Sequence, residues 1–255
     1  MDQTTDVKTR RKGIYLLPNL FTTGTLFGGF FAIVQAMKGN FEAASAGILA
    51  AMIADGLDGR IARLTHTQSD FGKEYDSLCD MVAFGVATAV VMYAFSLHYL
   101  SEYRWLGGKL GWALAFLFTA CAALRLARFN VLTAIAGSDK DFFGLPSPSA
   151  AATVAFFVWA ADTWGFSGET LIIPSAVITI ACALLMVSNV RYNSFKQVKL
   201  SRRGPFLYMV LFIGMFTLVL IDPPRVLFVV FFAYTLSGPA LALWARYQRR
   251  SSAAA

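Results

Sequence analysis

Long apolar stretches alternate with short polar segments along the whole chain. Each stretch is close to the length at which an α-helix crosses the roughly 30 Å of hydrocarbon in a bilayer. We therefore predict an all-α protein with about eight transmembrane helices, near residues 20–37, 43–63, 73–98, 110–129, 149–164, 171–189, 205–221 and 224–243. The last two stretches are separated only by the turn at residues 222–225, which indicates a helical hairpin.

The composition supports a membrane protein, because 57% of the residues are hydrophobic and only 15% are charged. The mean hydropathy of +0.58 is likewise outside the usual range of a soluble domain. We divide the chain into a cytoplasmic N-terminal segment (1–19), a six-helix core (20–190), and a C-terminal two-helix hairpin with a basic tail (191–255).

Lysine and arginine are distributed unevenly between the two sides of this predicted bundle. The N-terminal segment, alternate loops and the C-terminal tail contain most of them, and the remaining loops contain only Lys38, Arg104, Lys109 and Arg225. By the positive-inside rule, both termini are cytoplasmic in a multi-pass protein of the cell membrane. The net charge of +7 lies beside helix ends, so we expect membrane lipids as partners and no nucleic acid.

Four aspartates lie where two neighbouring predicted helices meet the cytoplasmic side. The second helix contains Asp55, Asp58, Gly59, Ala62 and Arg63, and the third contains Gly72, Asp76 and Asp80. At 100° per residue, each set falls on one stripe of its helix. If the stripes face each other, the crowded like charges require a multivalent cation. Because the predicted ligands are all oxygen atoms, the pattern favours Mg²⁺ or Mn²⁺.

Taken singly, each acid could instead form an ion pair with Arg60, Arg63 or Lys73 at a solvated helix end. Together, the eight positions are the signature of the CDP-alcohol phosphotransferase family, which this chain resembles at every motif position. The resemblance implies a phosphotransferase that binds two metal ions. It further implies that Asp55 and Asp76 bridge the ions, that Asp58 and Asp80 complete their coordination, and that Asp80 is also the general base.

The same resemblance implies where the nucleotide binds. Four residues match family positions that contact the CDP portion of the substrate, which are Gly59, Ala62, Arg63 and Ser69. Gly59 and Ala62 present almost no side chain, which leaves room for the nucleotide. Close packing between helices is the alternative explanation for these two small residues.

Three further segments, at residues 12–23, 125–130 and 142–148, resemble the phosphatidylserine synthases of bacteria and archaea. This resemblance implies CDP-diacylglycerol and L-serine as substrates, with phosphatidylserine and CMP as products, and favours a homodimer. The serine carboxylate needs a cation, and Arg125 and Arg128 lie close together with Asn130 at the cytoplasmic end of the fourth helix. As an alternative, these arginines are membrane-interface anchors.

Two other functions fit parts of the pattern. The acceptor could be inositol phosphate or glycerol phosphate, although a phosphorylated acceptor calls for a denser basic cluster. Acids within a membrane also occur in divalent-cation or proton-coupled transporters. Transporters, however, place them near mid-membrane within inverted repeats, whereas these acids lie at one face and no repeat is visible. The choice between Mg²⁺ and Mn²⁺, and between direct attack and a phosphatidyl-enzyme, stays open.

Overall fold

The structure is a computed structural model that describes residues 16–65, 69–102, 108–136, 144–190, 192 and 205–253. These residues form helices and connecting segments, without a β-strand among them, which confirms the predicted all-α class. The helices are α1 (Leu16–Met37), α2 (Phe41–Leu64), α3 (Asp70–Asp80), a π-helix (Met81–Ala87), α4 (Thr88–Phe95), a 3₁₀ helix (Leu97–Glu102), α5 (Leu110–Ala136), α6 (Ser147–Thr163), α7 (Ile172–Val187), α8 (Pro205–Ile221) and α9 (Pro223–Ala253).

The predicted helices agree with the observed ones to within a few residues except in three places. The fourth, predicted at 110–129, continues as α5 to Ala136. The third predicted helix, at 73–98, corresponds to α3, the π-helix and α4, which follow one another without a break and end at Phe95. The eighth, predicted to end near residue 243, continues as α9 to Ala253. The turn of the predicted C-terminal hairpin is also shorter than expected, because only Asp222 separates α8 from α9.

Within the described residues, four helical stretches are long and apolar enough to cross a membrane, at Asn19–Met37, Asp70–Phe95, Leu110–Leu132 and Pro223–Trp244. Large apolar side chains such as Phe27, Phe30, Trp112 and Phe116 are exposed on the outside of the bundle. Water would make such a surface unfavourable, whereas lipid would cover it. The fold is therefore that of a multi-pass membrane protein.

Small residues bring α1 close to its neighbours. A Cβ atom built on Gly28 would lie 2.8 Å from the Gly47 carbonyl oxygen of α2, and one built on Gly29 would lie 2.6 Å from the Ala83 Cα of the π-helix. Glycine is required at both positions because any side chain would push the helices apart. This packing holds α1, α2 and the α3–π–α4 stretch together, so that the ends of α2 and α3 with their aspartates lie beside α1.

Candidate active site

Three carboxylates converge between α2 and α3 in the part of the chain that the structure describes. One oxygen each from Asp55, Asp76 and Asp80 lies within 4.8 Å of the other two. The Oδ1 atoms of Asp76 and Asp80 are buried and find no hydrogen-bond partner among the described residues. Buried carboxylate oxygens without donors are unfavourable, and a divalent cation removes that cost. The oxygen-only donor set suits Mg²⁺ or Mn²⁺, so these residues fit the metal site predicted from the sequence.

Asp58, the fourth predicted ligand, lies beside this cluster. Its Oδ2 accepts a hydrogen bond of 2.9 Å from the Thr22 hydroxyl of α1, and both residues are buried. Thr22 was not among the predicted site residues, because a single threonine in an apolar helix carries no chemical signal of its own. The contact holds the Asp58 side chain in place and connects α1 to the acidic end of α2.

A cavity of about 440 Å³ opens next to the carboxylates. Its lining includes the predicted positions Gly59, Ala62 and Ser69, and further consists of Asn19, Thr22, Asp58, Asp70, Gly72, Lys73 and Asp76. Apart from the neighbouring backbone of its own helix, a Cβ atom built on Gly59 would lie within 4 Å of one described atom, an Arg63 guanidinium nitrogen at 3.9 Å. Packing between helices therefore does not require this glycine, and its lack of a side chain leaves the cavity open.

Of the predicted CDP contacts at the two helix ends, Ser69 lines this cavity and Arg63 does not. Ser69 is the N-cap of α3, where its Oγ accepts a 3.0 Å hydrogen bond from the Gly72 N–H. Arg63 is exposed in the last turn of α2 and is not part of the cavity lining. Ser69 therefore has a structural role as a helix cap in addition to any contact with substrate.

The three predicted serine-binding residues on α5 contact three different elements. The Arg125 Nη1 donates a 3.0 Å hydrogen bond to the buried Ser147 Oγ at the start of α6. The Arg128 Nη2 donates at 2.8 Å to Asn189, which follows α7, and the Asn130 amide donates at 2.9 Å to the Ser77 Oγ of α3. Each of the three residues therefore joins α5 to a different part of the bundle.

Arg125 differs from Arg128 in its electrostatic surroundings. Its guanidinium lies over the Phe129 ring, 5.8 Å from the ring centroid, and is close enough to Asp80 and Asp55 for their charges to act on it. Arg128 is exposed, and its bonds join α5 to the end of α7. The charge of Arg125 therefore acts on the carboxylate cluster, whereas Arg128 joins two helices.

In this helical membrane bundle, carboxylates converge beside a cavity. The protein is therefore of the class of integral-membrane proteins that have a site suited to a divalent metal ion. The family model for CDP-alcohol phosphatidyltransferase matches residues 15–187, and the chain belongs to this family. This result confirms the family predicted from the sequence.

The chain is also similar to several curated proteins. It is 38% identical to the CDP-diacylglycerol–serine O-phosphatidyltransferase of Helicobacter pylori (strain ATCC 700392 / 26695) over 226 residues, which cover 88% of this chain and 90% of the relative. It is 31% identical to the protein of that name from Mycobacterium leprae (strain TN), over 90% of this chain and 75% of the relative. An archaetidylserine synthase of Methanothermobacter thermautotrophicus is 36% identical over 69% of each chain.

Proposed function

We propose that this chain transfers the phosphatidyl group of CDP-diacylglycerol to the hydroxyl group of L-serine and releases CMP. One observation carries this proposal: Asp55, Asp76 and Asp80 converge beside a cavity in a chain whose relatives act, by their names, on CDP-diacylglycerol and serine. The chain would therefore be a CDP-diacylglycerol–serine O-phosphatidyltransferase.

Four aspartates would hold two divalent ions, either Mg²⁺ or Mn²⁺, namely Asp55, Asp58, Asp76 and Asp80. When bound, such ions offset the charge of the diphosphate and polarise the phosphorus that is attacked. Thr22 orients the Asp58 carboxylate for this purpose through its hydrogen bond. The unpartnered Oδ1 atoms of Asp76 and Asp80 support the assignment.

The remaining chemistry is a proton transfer coupled to an exchange of phosphate esters. The bond between the serine oxygen and the phosphorus forms, and the bond between that phosphorus and the oxygen of CMP breaks. Asp80 is the general base and accepts the serine hydroxyl proton, since it is buried within the carboxylate cluster. Direct attack on CDP-diacylglycerol is the simplest sequence of steps for this arrangement.

The cavity would bind the CDP portion. Gly59 and Ala62 leave its wall open, Ser69 forms its edge at the start of α3, and Arg63 would reach the diphosphate from the exposed end of α2. The serine carboxylate would pair with Arg125, which is close enough to Asp80 and Asp55 for their charges to act on it. Arg128 and Asn130 would act mainly by holding α5 against α7 and α3.

The chain would cross the cell membrane eight times, with both termini and the active site on the cytoplasmic side. The unequal distribution of Lys and Arg supports this orientation. Eight crossings require α2, α6, α7 and α8 to span together with the four long apolar stretches. The family resemblance further suggests a homodimer.

The deciding experiment measures CMP release by the purified protein in detergent with CDP-diacylglycerol and a panel of acceptors. We expect release with L-serine and not with glycerol 3-phosphate or inositol phosphate. Preference for a phosphorylated acceptor would assign the chain to another activity of the family. Asp76→Asn should abolish release, whereas Asp162→Asn, a matched change at the far end of α6, should leave it at the wild-type level.

A further inference from the structure

The C-terminal helix α9 lies outside the part of the chain that the family model matches, but it packs on α6, whose first residue, Ser147, accepts a hydrogen bond from Arg125. Its interior contains Pro239. Because proline has no N–H group, the carbonyl of Thr235, four residues earlier, loses its partner within the helix. The Tyr192 hydroxyl donates a 3.0 Å hydrogen bond to that carbonyl oxygen. Proline thus creates an acceptor on α9 that a residue from outside the helix fills.

The fit around Tyr192 is close. Its side chain is only 5% exposed, and a Cβ atom on Gly238 would overlap its ring. The Thr235 hydroxyl also lies 2.8 Å from the Thr153 hydroxyl of α6. We refer to this arrangement of Tyr192, Thr235, Gly238 and Pro239 as the α9 docking contact.

The docking contact packs Tyr234 against Tyr192. The rings of Tyr192 and Tyr234 lie 5.6 Å apart between centroids, and Tyr234 interacts electrostatically with Arg125. Arg125 in turn interacts with Asp55 and Asp80. Hydrogen bonds also connect α5 and α9 to the same half of α6, because Arg125 donates to Ser147 and the Thr235 hydroxyl lies 2.8 Å from that of Thr153.

We propose that Tyr234 forms one wall of the acceptor site and helps to select a small amino-acid alcohol, and that Tyr192 is its positioning residue. This inference rests on the proposed function, in which Arg125 binds the acceptor carboxylate. A phenol beside that guanidinium supplies a hydroxyl that can donate to the same carboxylate. Its ring limits the size of the acceptor that fits against Arg125.

The test measures Michaelis constants for L-serine and CDP-diacylglycerol, with CMP release as readout, for variants at both tyrosines. Tyr234→Phe should raise the serine constant roughly ten- to a hundredfold, the loss expected for one hydrogen bond to a charged group, and leave the CDP-diacylglycerol constant unchanged. Tyr234→Ala should in addition raise the ratio of kcat/KM for L-threonine to that for L-serine, because space for an extra methyl group appears.

Two further variants complete the design. Tyr192→Phe should raise the serine constant selectively, since it removes the hydrogen bond that positions α9. Tyr93→Phe is the matched control, as Tyr93 lies in α4 and packs on His98, away from Asp80, and it should behave as wild type. If Tyr192→Phe weakens both substrates equally, the docking contact is structural only and the positioning role is wrong.

The outcomes distinguish this inference from the proposed function. If the wild type uses serine but both Tyr234 variants keep the wild-type serine constant and threonine ratio, the inference is overturned and the proposed function stands. If the wild type instead uses another acceptor from the panel, the proposed function fails. In that case, a higher Michaelis constant for that acceptor in Tyr234→Phe would still support Tyr234 as a wall of the acceptor site. An unchanged constant would overturn that role of Tyr234.

Discussion

At the scale of single residues, the site combines carboxylates that lack donors with side chains that are firmly held. The Oδ1 atoms of Asp76 and Asp80 are buried without a partner among the described residues, whereas the carboxylate of Asp58 accepts a hydrogen bond from Thr22. A residue that only supports the fold normally has its buried polar atoms satisfied. The unsatisfied oxygens therefore indicate where a cation and a substrate proton would bind.

Asp80→Asn should separate chemistry from binding. The amide retains the shape of the side chain and one coordinating oxygen, but it does not accept the serine proton. We expect kcat to fall by roughly 10²- to 10⁴-fold, the usual contribution of a general base, while the affinity for CDP-diacylglycerol changes little. Steady-state kinetics with both substrates checks this expectation. A near-normal kcat would mean that another group takes the proton.

Arg125→Met should weaken serine binding much more than Arg128→Met. Removing a charge-assisted contact costs about 1.5 to 3 kcal/mol, or roughly ten- to a hundredfold in the serine Michaelis constant. Arg125→Lys should recover only part of this loss, because a point charge does not reproduce the planar guanidinium. Equal effects of the Arg125 and Arg128 substitutions would contradict the different roles that their hydrogen-bond partners indicate.

The aspartates of the site could be predicted from local sequence, but the separate roles of the two arginines could not. The spacing of Asp76 and Asp80 places both on one helical face from local geometry alone, and the structure brings them together with Asp55. Arg125 and Arg128 also share a helix, but their partners Ser147 and Asn189 come from distant parts of the chain. Only the tertiary structure can therefore separate their roles.

At the scale of helices, the bundle depends on how closely α1 approaches the π-helix that follows Asp80. The lengths of the apolar stretches predicted most helices well, because hydrophobic length is a local property. They did not predict the π-helix at Met81–Ala87, which interrupts an otherwise regular apolar stretch without a break in composition. Gly29 of α1 lies directly against Ala83 in this segment.

Gly29→Ala should therefore destabilise the protein and disturb the carboxylates. The added Cβ would lie 2.6 Å from the Ala83 Cα, and overpacking of this kind typically costs about 1 to 3 kcal/mol. We expect a lower melting temperature in detergent and reduced CMP release. Gly24→Ala is the control, since its Cβ would meet the Ala54 Cβ at an ordinary 3.7 Å and should be tolerated. Similar melting temperatures for the two variants would contradict the close packing of α1.

At the scale of the whole molecule, orientation determines which side of the membrane supplies serine and receives CMP. The acidic ends of α2 and α3 and the segment between α6 and α7 lie on opposite sides in the proposed topology. The native cysteines Cys79, Cys121 and Cys182 are all buried, so they should react little with a membrane-impermeant thiol reagent. Single cysteines added at exposed positions can therefore report the orientation.

In intact cells, Glu169→Cys should be labelled from outside, whereas Thr65→Cys should be labelled only after the membrane is permeabilised. Both residues are exposed and lie next to helix ends. Maleimide labelling before and after permeabilisation measures the difference. The reverse pattern would invert the proposed topology and place the active site on the outer side.

Metal dependence is the most direct test of the central claim that the clustered aspartates form the site of phosphatidyl transfer. Serine-dependent CMP release should be measured in the purified protein with EDTA, and again after Mg²⁺ or Mn²⁺ is restored. We expect EDTA to abolish release and a divalent ion to restore it, because the carboxylates and the diphosphate otherwise lack a compensating charge. Asp55→Asn should remain inactive at every metal concentration at which the wild type recovers. Full CMP release in the presence of EDTA, or wild-type turnover by Asp55→Asn, would contradict the claim.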